Sequence, residues 1–260
     1  RSAGARRPFF CYVPFTLVHY PTLPHPDFAG RTRNGNWADS LAEMDHHVGE
    51  IVDAVEHAGV AGSTIVVFCS DNGPEEATRD SGWAGPWSGS YFTAMEGSLR
   101  APFIMRWPGR IAAGRISNEI VHQVDLFTTF ARLTGSRLPA DRIIDGVDQS
   151  EFLLGRKEQS AREGFLCYVA DTLHAVKWRN WKMHYVWQEY LVDIPQKLPS
   201  PRLFYLIDDP RERHNVRTMN TWIDWPVNKF RNEFDASLRR EPPIPVGTPD
   251  PYQPHLAKNR

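Results

Sequence analysis

Apolar positions along the chain follow two regimes. In the first, Ile65–Cys69 (I-V-V-F-C) is a nearly unbroken apolar run rich in β-branched residues. That pattern predicts a strand buried on both faces, as in a parallel sheet covered by helices. Ser70-Asp71-Asn72-Gly73 supplies turn chemistry where the run stops. Pro8–Val18 reads as a second buried strand, with Pro14 near its end. Between them Leu41, Met44, Val48, Ile51, Val52 and Val55 recur at helical spacing and predict a helix over Asp39–His57, stopped by Gly59. Strand, helix and strand in that order make a βαβ unit. Its strands run parallel and bring His19 and Asp71 out at carboxyl ends on one rim. Ala101–Trp107 predicts a further strand, and Val121–Leu133 an amphipathic helix ending at Gly135.

The second regime begins near Gly164. Phe165–Ala170, Ala175–Trp178, Trp181–Val186 and Leu203–Ile207 are short aromatic runs that predict an antiparallel sheet. A helix over Thr221–Leu238, broken or started at Pro226, and a proline-rich tail over Glu241–Tyr252 complete the chain. The expected division is therefore 1–163, an α/β unit, and 164–260, a smaller antiparallel-sheet unit.

Composition narrows the class. With 41% hydrophobic and 23% charged residues the chain is an ordinary globular protein. A formal net charge of -1 excludes broad electrostatic attraction to nucleic acid or anionic membrane. No apolar run approaches the roughly 20 residues of a membrane span. The three cysteines, Cys11, Cys69 and Cys167, are scattered, with neither a disulfide framework nor a zinc spacing. Cys11 and Cys69 lie in apolar runs and are expected inside. Neither a cytoplasmic nor an exported location is excluded.

Candidate chemistry gathers at the strand ends. Asp71 and Asn72 offer hard oxygens of the kind Ca²⁺ or Mg²⁺ prefers, in a sequence that also suits a plain turn. His19 precedes a stiff proline-rich loop, where it could donate to an oxyanion or act as a general acid. His25, further out in that loop, is expected to be structural. His46, His47 and Glu50 lack the H-E-x-x-H spacing and are expected to be solvated or packed. The loop Pro74–Ser90 is placed over the rim, with Trp83, Trp87 and Tyr91 as possible cleft residues.

Several segments in order resemble the C-terminal part of the sulfatases, in the alkaline-phosphatase-like superfamily. They are His19-x-Pro21, Leu41-x-x-Met44-Asp45-x-x-Val48-Gly49, Thr64–Gly73, Glu96–Gly109 (E-G-S-L-R-A-P-F-I-M-R-W-P-G), His122-x-x-Asp125-Leu126 and Leu203–Asn215. The resemblance implies an α/β parallel-sheet sandwich, here partial, followed by a C-terminal antiparallel-sheet subdomain. It implies that Asp71 and Asn72 ligate a divalent cation, Ca²⁺ in most members, and that His19 contacts the sulfate ester of a small molecule or glycan. The formylglycine nucleophile of the family arises within C/S-x-P-x-R, a motif absent from this sequence. The chain is accordingly expected to be a fragment, inactive and poorly soluble or molten when made alone. A sulfate-binding lysine common in relatives falls at Tyr91, and an arginine sometimes found earlier at Ser88, so Tyr91 becomes the substrate-facing candidate. Two other readings stay open: a phosphodiesterase or phosphonate monoester hydrolase of the same superfamily, and a non-catalytic homologue that acts as a binding module.

Overall fold

The computed structural model describes residues 7–75 and 82–249. Part of the predicted rim loop, at 76–81, and the end of the predicted tail lie outside the described residues. Helix α1 (Asn36–His57) begins three residues before its predicted start at Asp39. Asp39 is buried and accepts hydrogen bonds from the Gly30 N–H (2.7 Å), the Thr32 N–H (2.8 Å) and the Thr32 hydroxyl (2.6 Å). The first turn of α1 thus fixes the loop leading into it.

Strands β1 (Val66–Cys69) and β2 (Phe103–Arg106) pair antiparallel, with Val66 opposite Arg106 and Cys69 opposite Phe103. The predicted parallel βαβ pairing does not form among the described residues. Residues 7–18 contain no strand and most are exposed, Phe10 at 83%. A strand needs a neighbour for its N–H and C=O groups, and no described strand lies beside this segment. For the same reason His19 occupies a bend, its N–H donating to the Thr16 carbonyl at 3.3 Å, rather than a strand end. β1 is only half-buried, and Cys11 and Cys69 are both exposed, contrary to the expectation that they are core residues.

Short helix α2 (Glu96–Leu99) precedes β2, and α3 (Asp125–Thr134) and α4 (Ser150–Leu153) follow it. Buried Asp125, the first residue of α3, accepts the His122 N–H at 2.9 Å and the Val147 N–H at 2.9 Å and so ties the segments on either side of the helix to its start. It also pairs with Arg162, Nη2 to Oδ1 at 2.6 Å. Burial pushes its carboxyl up, but the Arg162 hydrogen bonds and the two N–H groups outweigh this and hold it below the usual range.

Strands β3 (Gly164–Val169), β4 (Thr172–Trp178), β5 (Trp181–Trp187) and β6 (Gln196–Tyr205) form an antiparallel meander in sequence order. Helix α5 (Asp224–Arg240) packs on one face, with Pro226 in its first turn, where no internal N–H partner is lost. Cross-strand neighbours Val176 and Met183 join Leu203, Ile223 and Val227 in the core between sheet and α5. Each such fully buried apolar side chain contributes about 1.5–3 kcal/mol. On the other face Cys167 and Ala175 pack against Ala94. Burial pushes the Cys167 thiol up to about 12. No described helix is long and apolar enough to cross a membrane.

Candidate functional site

Asp71 and Asn72 stand exposed immediately after β1. Asp71 Oδ1 accepts the Asn72 N–H at 3.0 Å and the Ser70 hydroxyl at 3.4 Å. The Asn72 amide donates to the Gly73 carbonyl at 2.8 Å, which points its nitrogen at the backbone. Asp71 Oδ2 and Asn72 Oδ1 are therefore hard acceptors on consecutive residues with no donor among the described residues. That donor set fits a Ca²⁺-like cation.

Two neighbours hold this turn. The Gly73 N–H donates to the Ser98 carbonyl at 2.8 Å, so α2 braces the turn from behind. The Gln123 amide donates to the Ser70 carbonyl at 2.7 Å and the Asp71 carbonyl at 3.3 Å. Gln123 lies in the turn that enters α3, its carbonyl accepting the Leu126 N–H at 3.1 Å. Sequence reading singled out His122 and Asp125 and passed over Gln123, because an exposed glutamine carries no signal of its own.

His19, Asp71, Asn72, Tyr91, Arg100 and His122 line one broad open concavity. His19 Nδ1 donates to the Tyr20 carbonyl at 2.7 Å. That bond fixes the tautomer: Nε2 carries a proton only when the ring is an imidazolium. Tyr91 is half-buried, its N–H on the Pro74 carbonyl at 3.0 Å. Trp83 and Trp87 also line the concavity, and the Arg100 guanidinium lies 4.8 Å from the Trp87 ring. Arg100 supplies a cation on this wall, which carries a tyrosine at 91. His122 has its imidazole pKa lowered by burial and by Arg162.

Behind the wall lies a buried ionic cluster. Glu96 accepts from Arg100 Nε (2.7 Å), Lys177 Nζ (2.6 Å) and Lys182 Nζ (3.2 Å), and its N–H donates to Glu212 at 2.8 Å. Glu212 also meets Lys182 Nζ at 3.3 Å and His184 Nε2 at 2.5 Å. Burial pushes the Glu96 carboxyl up, but Lys182, Lys177 and Arg100 prevail and hold it well below the carboxylate range. Burial likewise opposes ionisation of Glu212 and Lys182, yet Lys182 and His184 keep Glu212 low, and the two glutamates raise Lys182. Lys177 is lowered, because burial outweighs Glu96 there. The cluster couples the β4–β5 hairpin to α2, and through Ser98 to the Asp71 turn.

The sequence matches the family profile described as Sulfatase over residues 2–136. It matches the profile described as N-sulphoglucosamine sulphohydrolase, C-terminal, over residues 91–235. It is 34% identical to the N-acetylgalactosamine-6-sulfatase of Canis lupus familiaris, across 94% of this chain and 49% of that protein. It is 32% identical to the steryl-sulfatase of Rattus norvegicus, across 80% of this chain and 41% of that protein. The crystal structure of the PsFucS1 sulfatase from Pseudoalteromonas sp. superposes with a TM-score of 0.83 at 28% identity, covering 88% of this chain and 48% of that one. The chain spans less than half the length of each of these proteins.

Proposed function

The chain belongs to the sulfatase family, and from that premise we propose that it forms part of a sulfuric ester hydrolase acting on a sulfated small molecule or glycan. The observation that carries this reading is the pair of unengaged oxygens, Asp71 Oδ2 and Asn72 Oδ1, at the end of β1. Asp71 and Asn72 would hold a divalent cation, Ca²⁺ by the chemistry of the oxygens. When bound, the cation offsets charge on the sulfuryl oxygens. His19 as imidazolium donates from Nε2, either to an ester oxygen or to the departing alcohol. Arg100 adds a fixed positive charge on the same wall, and Tyr91 takes the substrate-facing position in the loop. Residues 1–260 contain no C/S-x-P-x-R motif from which the formylglycine that the resemblance implies could arise. In the proposed division into 1–163 and 164–260, Asp71 and Asn72 both fall in the first unit.

The protein expressed from its complete reading frame should hydrolyse an aryl sulfate and prefer it to an aryl phosphonate monoester. Asp71→Ala should remove that turnover, and chelation followed by Ca²⁺ should remove and restore it. Turnover indifferent to Asp71 and to chelation, or confined to the phosphonate ester, would overturn the assignment. No turnover of either ester, with an intact C/S-x-P-x-R upstream, would favour the binding-module reading.

A further inference from the structure

Away from the concavity, α1 carries a second cluster of ligating side chains. His46 and His47 are adjacent in sequence, and Glu50 lies one turn on. Glu50 Oε2 is 2.8 Å from His47 Nδ1, and Glu50 Oε1 is 3.7 Å from His46 Nε2. One ligand atom from each of the three residues falls within 4.8 Å of the others. Around a tetrahedral Zn²⁺, ligand atoms sit about 3.3 Å apart given Zn–N and Zn–O lengths near 2.0–2.1 Å, so the two imidazole–carboxylate separations already bracket the required spacing.

The surroundings favour a held cluster over freely solvated side chains. The Phe28 ring lies 5.4 Å from the His46 ring and 6.1 Å from the His47 ring and restrains both. The far nitrogen of His47, Nε2, is 3.8 Å from Oε1 of Glu43, a largely buried carboxylate whose other oxygen accepts the His25 N–H at 2.7 Å. A carboxylate behind a ligating imidazole is what metal sites use to fix the ring and its tautomer. At present Glu50 takes the Nδ1 proton of His47. A cation bound at Nδ1 would instead require the neutral tautomer of His47 whose single proton is on Nε2, facing Glu43.

We propose that His46, His47 and Glu50 form a site for a Zn²⁺-type transition-metal ion on the outer face of α1, with Glu43 as the positioning carboxylate behind His47. Two imidazoles and one carboxylate select Zn²⁺ or Ni²⁺ over Ca²⁺, so this site is distinct in chemistry as well as place from the Asp71 turn. It is independent of the proposed sulfate ester hydrolysis. The H-H-x-x-E order does not follow the familiar H-E-x-x-H spacing, yet the carboxylate at i+3 and i+4 reaches both rings.

Titration calorimetry with Zn²⁺ tests this on the metal-stripped complete protein, with Ca²⁺ present to fill oxygen sites. The expected result is a Zn²⁺ site that survives Asp71→Ala and is lost in the His46→Ala/His47→Ala double variant. Glu43→Gln should weaken it about 10-fold while leaving the stoichiometry unchanged. All three residues of the cluster are on the surface, so the variants should fold, and circular dichroism checks that they do. Zn²⁺ binding of equal affinity and stoichiometry in the double variant, or no Zn²⁺ binding by the unmodified protein, would overturn the proposal.

Discussion

Gly73 and Gly97 meet backbone to backbone. A Cβ built on Gly73 would lie 1.7 Å from the Gly97 carbonyl oxygen, and one on Gly97 would lie 2.6 Å from the Ser88 carbonyl oxygen. Neither obstacle is a flexible side-chain end that could swing aside. The turn bearing Asp71 and Asn72, the α2 turn and the Ser88–Gly89 segment of the rim loop are therefore stacked at a separation only glycine permits.

Gly73→Ala should force this stack apart. The expected cost is about 1–3 kcal/mol, the usual range for overpacking, and the displacement falls on the two candidate cation ligands. Thermal melts with and without Ca²⁺ read both effects. A variant with unchanged stability and an unchanged Ca²⁺-dependent shift would contradict the close stacking.

Lys182 is fully buried between Glu96 and Glu212. Lys182→Met leaves two carboxylates with less compensation and should destabilise the protein by about 3–5 kcal/mol. Adding Glu212→Gln to it should recover part of that loss, since an uncompensated charge is removed. Denaturant unfolding of the single and double variants measures the difference. A double variant as unstable as the sum of the two single changes would contradict the coupling.

Gln123→Ala removes the two hydrogen bonds that hold the Ser70 and Asp71 carbonyls. Gln123 is exposed, so global stability should change by less than about 1 kcal/mol. Cation affinity should fall by about 10-fold or more, the usual effect of loosening a group behind a ligand. Calcium titration beside a melting curve separates the two; a fall in melting temperature without a change in affinity would assign Gln123 a purely structural role.

The cluster also sets the pH limits of stability. The folded values of Glu96 and Glu212 are depressed. Their contribution is present above the unfolded carboxylate value of about 4.3 and is lost as pH falls below it toward the folded values. Lys182 is raised instead, so its contribution is complete below about 10.4 and is lost only as pH climbs through the folded value above that. Lys177, whose folded value is lowered by burial, works in the opposite sense up to about 10.4, so unfolding free energy should decline below about 4.3 and, through Lys182, only above about 10.4. Lys182→Met should blunt the alkaline decline.

Local order was legible in the sequence where apolar spacing is strong. The α1 stripe, the β1 run before Asp71 and the first three aromatic strands after Gly164 fold close to where the periodicity puts them. The fourth, expected over Leu203–Ile207, instead runs over Gln196–Tyr205, because its proline- and lysine-containing first half pairs with β5 without an apolar pattern of its own. Pairing was less legible. Pro8–Val18 has strand composition, but composition does not supply a neighbour, and without one the segment stays open. The face of the second sheet was misleading in another way. Lys177, Lys182 and His184 alternate with apolar residues, which in isolation describes a solvated face. They are buried because Glu96 and Glu212, remote in sequence, meet them. The turn itself was readable at Asp71 and Asn72, whereas its supports, Gln123 and the Ser98 carbonyl, are defined only by contacts between distant segments.

Cys167 gives the sheet a built-in clock. Its thiol is held between β4 and Ala94, close to the ionic cluster, and burial keeps it protonated. Cys11 and Cys69 are exposed and open to a thiol reagent without any unfolding, Cys69 the slower for a thiol that partial burial and Asp71 push up. Cys167 can react only in the intervals when the sheet lifts away from α2. The lag of the last thiol behind the other two is thus a direct measure of how often the second half of the chain lets go of the segment that braces the Asp71 turn.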